Sequence, residues 1–295
     1  MKEWFKACYA CLSKSWLTLV SVATMLCFSR PVVRDWVNGV SKRAYVLGNG
    51  PSLRNDLPRL GKVIKGQAGD DSECDVWVVN NFCFSREFYE IKPSFYVLAD
   101  SAYWCSDVSD ELAAARLDFV RSLKEVSWLL TLLVPRFANN SELVRELSSS
   151  SSLKIVYYNL CPVDGFDCVS YYACDKGFGM PTPYNVLVAA LSLSIGAGYQ
   201  EIVIAGADHS WHEQIKESDG RTLVKQEHFY DDAASAQPMY KAKDNAFTIG
   251  DMFLQWGSAF KKYEFLQRYA DHKKVAIFNV SSRSYIDSFV RREIG

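Results

Sequence analysis

Three short stretches concentrate side chains able to do chemistry. The first is Gly48-Asn49-Gly50-Pro51-Ser52-Leu53. Its two glycines permit a tight turn and let backbone come close to a ligand. Pro51 suits a helix start, and Ser52 can satisfy free amides there. A helix N-terminus with free amides is an anion site. The spacing is neither the dinucleotide G-x-G-x-x-G nor a Walker loop. A phosphate-bearing ligand is thus implied, but not NAD or ATP; the plainer reading is a tight strand-to-helix turn. The second stretch is Asn80-Asn81, with Asp100-Ser101 following in the same style at the end of the next apolar run. Consecutive amides are costly if buried unpaired and suit the reading of sugar or ribose hydroxyls. Ordinary polar loop starts would look the same.

The third stretch runs from Gly206 through Asp208, His209, Ser210, Trp211 and His212 to Glu213, in a chain holding only 4 His. Histidine is a natural general base near neutral pH. A metal site is the rival, but no third ligand follows at clear spacing. His228-Phe229-Tyr230 and Tyr240-Lys241 fall in a long insertion, Ser210 to Thr248, and would either close over a ligand and supply a cation or form a solvated loop. Asp251, after Ile249-Gly250, reads either as a helix cap or as a carboxylate at the anion-binding edge. Ser281 to Asp287 read as a turn into a C-terminal helix ending near Arg291 and Arg292.

These residues need elements to hold them. Short apolar runs predict strands at Arg43–Leu47, Val76–Val79, Phe95–Ala99, Leu129–Val134, Lys154–Tyr158, Glu201–Ala205 and Val275–Asn279. Helical patterns lie between several of them, at Asp110–Leu123, Ser141–Leu147, Tyr184–Ile195 and Phe253–Tyr269. The alternation predicts an α/β fold, a mostly parallel sheet with helices on both faces. Ligands of such sheets bind beyond the carboxyl ends of the strands, where the polar stretches fall. The Ser-rich segment Asn139 to Ser152 reads as a loop beside a short helix, and no internal repeat is evident.

At 295 residues the chain is long enough to bury a core without disulfides or metal. Its net charge of −1 argues against a protein that coats a nucleic acid polymer. Nine scattered cysteines read as reduced, intracellular thiols. The pair Cys8 and Cys11 lacks the preceding strand of a redox motif. Residues 1–40 form a basic-apolar segment before a domain over 41–295. The run Trp16 to Phe28 is short for a spanning helix. It reads as a buried helix, an interfacial helix with basic flanks, or an anchor.

Ala44 to Leu53, Asn80-Asn81, and Gly198-Tyr199-Gln200-Glu201-Ile202 leading to Ala205-Gly206-Ala207-Asp208 resemble the bacterial lipooligosaccharide sialyltransferases. They also resemble the wider group of motility-accessory proteins and hydroxymethylpterin pyrophosphokinases. The likeness runs from about residue 43 to 290 and is thin between motifs. It implies a Rossmann-like fold with a lid insertion at about 210–248. It also implies transfer of a sugar, a nonulosonic acid such as sialic acid, from a CMP-activated donor to a surface glycan or lipid-linked acceptor, without a cofactor or metal. By position it puts donor contacts on Gly48, Asn49, Gly50, Ser52, Asn80 and Asn81. Asp100 stands where the family has an asparagine, and Thr182 is nearest to its donor-cradling turn. Ser210 and Trp211 replace its phosphate-binding tyrosines, and Ile249-Gly250-Asp251 replaces a segment ending in the catalytic histidine. On this reading the base is Asp251 or His209, then His212 or His228. Asp208, Tyr240 and Lys241 complete the donor site, and the chain is cytoplasmic and peripheral at the inner membrane face. A Mg-dependent pyrophosphokinase using Asp208, Asp231 and Asp232, and a non-catalytic glycan-binding protein, are the alternatives.

Overall fold

The computed structural model describes residues 2–37, 40–65, 74–105, 108, 110–225, 227–230, 236–242 and 245–294. After α1 (Lys2–Phe28), strand and helix alternate: β1 (Arg43–Leu47), α2 (Leu53–Ile64), β2 (Cys74–Val79), α3 (Arg86–Ile91), β3 (Phe95–Val97), α4 (Asp110–Lys124), β4 (Leu130–Pro135), α5 (Glu142–Leu147) and β5 (Leu153–Tyr158). Then come α6 (Asp167–Lys176), α7 (Val186–Ala197) and β6 (Glu201–Ala205). The insertion holds β7 (Ile215–Ser218), β8 (Arg221–Lys225), β9 (Ala236–Gln237), β10 (Tyr240–Ala242) and β11 (Asn245–Ala246). The chain closes with α8 (Ile249–Lys273), β12 (Ala276–Asn279) and β13 (Val290–Arg291).

β1 to β6, β12 and β13 make one parallel sheet in the order β13-β12-β6-β1-β2-β3-β4-β5. β4 is buried along its whole length, and β1 from Ala44 onward, as strands covered on both faces must be. Side chains alternate between two cores. Ala44 and Val46 join Leu191, Tyr263 and Leu266 under α7 and α8, while Tyr45 and Leu47 join Leu57, Phe88, Phe119 and Leu147 under α2 to α5. α7 is apolar almost all round and buried, which suits a helix sandwiched between the sheet and α8. The expected α/β class is therefore the observed one: a Rossmann-like sheet with helices on both faces. The chain walks outward from β1 to β5, then returns to the other side of β1 with β6. The resulting switch point lies between β1 and its two neighbours, where such sheets open a crevice.

Three expectations need correction. The insertion is no unstructured lid: β7, β8 and β9 form an antiparallel sheet, and β10 pairs with β11. Asp219 and Gly220, at φ 52° and 72°, make the two-residue hairpin turn from β7 to β8. Among the described residues no helix follows Asp287. Ile286 and Phe289 are buried, Arg292 N donates to Asn279 O (3.2 Å), and the chain adds β13 to the sheet edge instead. Third, α1 is longer than its apolar core and is not buried. Its Trp4–Phe28 stretch has a mean hydropathy of 1.5 with 6% of the window buried, so it is long and apolar enough to cross a membrane.

Candidate functional site

A cleft of about 630 Å³ opens at the carboxyl ends of β1, β2, β3 and β6. Its floor is the Gly48–Pro51 loop with Asn80 and Asp100. The start of α7, the first turns of α8, and the insertion residues Gln214, Val224, Glu227, His228 and Met239 form its walls. An all-parallel sheet covered on both faces, with a cleft at its switch point, defines the class as a doubly wound, Rossmann-like α/β protein. The chain matches no protein-family model and no curated protein.

The glycine loop is built for another loop. Gly48 N donates to Ala205 O and Gly50 N to Gly206 O, each at 2.8 Å. A Cβ on Gly48 would strike the Gly206 carbonyl, and one on Gly50 the Asp208 carboxylate. The helix start that should be an anion site is already served from within. Asp208 accepts from Ser52 N (3.0 Å) and Ser52 Oγ (2.8 Å). Burial pushes the Asp208 carboxyl up, and the Ser52 bonds oppose that. Ser52 and Asp208 thus satisfy each other, so this helix start is not an open phosphate site, while Asp208 still lines the cleft. The same pairing also ties up one carboxylate that a magnesium-dependent reaction would use, while Asp231 and Asp232 lie outside the described residues.

The asparagines divide. Asn49 Nδ2 donates to Val79 O (3.1 Å). Among the described residues neither Asn49 Oδ1 nor Asn80 Oδ1 has a hydrogen-bond partner, although both atoms are buried. Asn80 sits at φ 48°, a left-handed conformation that asparagine tolerates better than most residues. Both residues line the cleft. Asn81 does not: its Oδ1 accepts from the Tyr103 hydroxyl (2.6 Å). Asp100 lines the cleft, with its carboxylate capping the next turn at Ala102 N (2.8 Å). Thr182 lies outside the cleft wall, where its neighbours Pro183, Tyr184 and Asn185 take its place.

The expected bases separate just as clearly. Asp251 is a cap: its carboxylate accepts from Thr248 N (3.0 Å) and Oγ1 (2.7 Å), and Thr248 Oγ1 accepts from Asp251 N. It is not part of the cleft wall, which removes it as the base. His209 reaches the wall but is buried, at φ 53°, with Nε2 2.6 Å from the Tyr263 hydroxyl and 3.2 Å from Asn185 Nδ2. Burial lowers its pKa to about 3, so its cationic form is strongly disfavoured and it is a weak proton acceptor. His212 is exposed against the Tyr285 ring (4.5 Å) and stands outside the cleft. His228 faces the cleft, its ring parallel to Tyr230 at 5.2 Å. The side chains of Tyr240 and Lys241 lie outside the described residues.

Two sets of cleft residues had no sequence signal strong enough to find them. Glu227, ion-paired with Lys225, brings a carboxylate next to His228. Aromatic pairs shape the walls: Trp211 stacks on Trp256 at 6.0 Å, and Trp104 meets Phe137 edge-on at 5.6 Å. Phe229 fastens this part of the insertion to the floor. Its N–H donates to Asn49 O (3.1 Å), its carbonyl accepts from Arg54 Nε (2.7 Å), and its ring packs on Phe82. The Asp219-Gly220 turn marks the β7–β8 hairpin that leads to Glu227, but its strands are too polar to read as strands from sequence. Among the described lining residues there is no Lys or Arg.

Proposed function

We propose that the cleft binds a nucleotide-activated sugar, CMP-linked by preference, and transfers the sugar to a hydroxyl of a glycan or lipid-linked acceptor. The observation that carries this reading is the pair of unpartnered oxygens on Asn49 and Asn80 at adjacent strand ends. Amide oxygens accept from N–H and O–H groups, which a cytosine amine and sugar hydroxyls supply. Burial makes those oxygens expensive to leave empty. The aromatic walls suit the apolar faces of a base and a sugar ring. The resemblance to sialyltransferases in Ala44 to Leu53 and Asn80-Asn81 points the same way.

In this mechanism His228 is the base. Its imidazole takes the acceptor hydroxyl proton as the sugar–phosphate bond breaks through an oxocarbenium-like state. That proton transfer supplies about 10²–10⁴-fold. Glu227 beside it orients the acceptor. α1 is the proposed peripheral contact with the inner membrane face.

A thermal-shift series with CMP, UMP, GDP and ATP, each with and without Mg²⁺, tests the reading. CMP at 100 times its Kd adds about 2.7 kcal/mol of stability without metal. A response confined to ATP with Mg²⁺ replaces the transferase by the pyrophosphokinase. A binding-only reading has its own support, since the described cleft lining holds no Lys or Arg and Asp251 is a cap. CMP binding without turnover of any CMP-sugar favours it.

A further inference from the structure

α1 meets the rest of the protein along one narrow stripe. Thr18 Oγ1 accepts from Phe166 N (2.9 Å), Ser21 Oγ accepts from Asp164 N (2.9 Å), and Met25 packs on the core under α7. Residues three and four apart share a helix face. The opposite face carries Phe5, Tyr9, Leu12, Trp16 and Leu19, each at least 60% exposed. At 1.5 Å per residue that apolar stripe is about 21 Å long. A spanning helix gives every face to lipid or to other membrane-embedded elements. α1 instead holds a loop of the domain with two hydroxyls from its middle, so it lies along the protein with the aromatic stripe outward.

The occupant of that stripe is indicated by charge. The first 30 residues hold Lys2, Lys6, Lys14 and Arg30 against the single acid Glu3, in a chain whose net charge is −1. Cations bordering an apolar helix complement anionic headgroups. A second copy would bring the same positive charge.

A second apolar patch sits beside the cleft mouth. Ile249, Phe253 and Leu254, on the first turns of α8, are 41%, 53% and 74% exposed. The next residues, Gln255 and Trp256, line the cleft. The same helix meets the seat of α1 about two turns further on, at Lys262. Asp164, which holds Ser21, is ion-paired with Lys262, and the adjacent Tyr263 touches His209 in the cleft wall.

We propose that the outer stripe of α1 and the first turns of α8 form one docking face for an anionic bilayer beside the cleft. The cleft then takes an acceptor whose apolar tail stays in the membrane. The docking face stands on exposure and charge alone; the choice of a lipid-linked acceptor rests on the transferase reading.

Co-sedimentation of the full chain with vesicles of phosphatidylcholine, alone or mixed with phosphatidylglycerol, tests this. The protein sediments with the mixed vesicles and much less with the neutral ones. Leu12→Asp with Trp16→Asp weakens binding by more than about tenfold, and Phe253→Asp with Leu254→Asp by about tenfold with α1 intact. Tyr172→Asp, at an exposed aromatic on α6, binds as wild type. All the substituted side chains are exposed, so melting temperatures stay near the wild-type value, and a variant that melts early is replaced by the Ser substitution at the same positions. Wild-type binding by the α8 variant overturns the shared face. Equal binding to neutral vesicles, or extraction by detergent but not by carbonate or salt, overturns the interfacial geometry. The CMP response is read on the same samples. Its loss with vesicle binding intact strikes the transferase reading alone, and its persistence without vesicle binding strikes the docking face alone.

Discussion

Asn49, Asn80 and Asn81 carry the same amide, but the first two oxygens are unpartnered at the cleft and the third is held by Tyr103. Asn80→Ala removes an unpartnered amide oxygen at the cleft, so it weakens the CMP response about tenfold, read as the shift in a CMP titration of melting temperature, and it costs about 1 kcal/mol of stability because alanine tolerates the left-handed backbone less well than asparagine. Asn81→Ala instead strands the buried Tyr103 hydroxyl, costs about 1–3 kcal/mol by denaturant unfolding, and leaves the CMP titration unchanged. His228→Asn is expected to lower kcat by about 10²-fold or more with the CMP response intact. His209 acts on stability through pH. Folding keeps its imidazole neutral down to about 3, whereas in the unfolded chain it titrates near 6.5. As pH falls the unfolded state binds this proton first. The stability from this group is therefore whole above about 6.5 and is lost as pH drops toward about 3. His209→Gln removes that titration, so the melting temperature of the variant declines less than the wild type's between about pH 7 and about pH 4. A parallel decline in both proteins would show that His209 is not held neutral.

At the scale of elements, α8 does two jobs. Its Thr248–Asp251 capping box satisfies amides at its start, and its next turns supply Gln255 and Trp256 to the cleft. Asp251→Ala therefore costs about 1 kcal/mol in thermal or denaturant unfolding and leaves turnover near wild type. Loss of turnover with intact stability would return the carboxylate to the role of base. The loop after β1 and the loop after β6 form a similar joint. Gly48→Ala forces a methyl against the Gly206 carbonyl, a backbone atom with little freedom to move. The expected loss is about 1–3 kcal/mol, measured by denaturant unfolding. The insertion gains its order from β7 to β9 and from the Phe229 anchor, so the side chains it lends to the cleft are held on a small sheet and not on a free loop.

At the scale of the whole molecule, one long helix, α8, links the cleft wall to the seat of α1. It backs the cleft wall through Tyr263 and His209, and it seats α1 through Lys262 and Asp164. α1 itself contributes few contacts to the domain, chiefly Thr18, Ser21 and Met25. The two cores under and over the sheet are complete without most of its surface.

The strands were legible because a doubly covered parallel sheet demands continuous apolar runs, and β1 and β6 occur where those runs predict them. The polar residues at the carboxyl ends of β1, β2, β3 and β6 were legible for the same reason: strand direction alone sends them to one edge. Local sequence also held the cap at Thr248 and Asp251, since capping geometry is set within four residues. What the sequence could not decide is which polar groups meet. Asp208 and Ser52 are far apart in the chain, and only the pairing of β1 with β6 brings a carboxylate onto that helix start and closes the expected anion site. The same holds for His209, whose neutrality comes from burial among Trp211, Phe260 and Tyr263. The exposed face of α1 is likewise a tertiary outcome, because composition fixes that a helix is apolar but only packing decides which side stays uncovered.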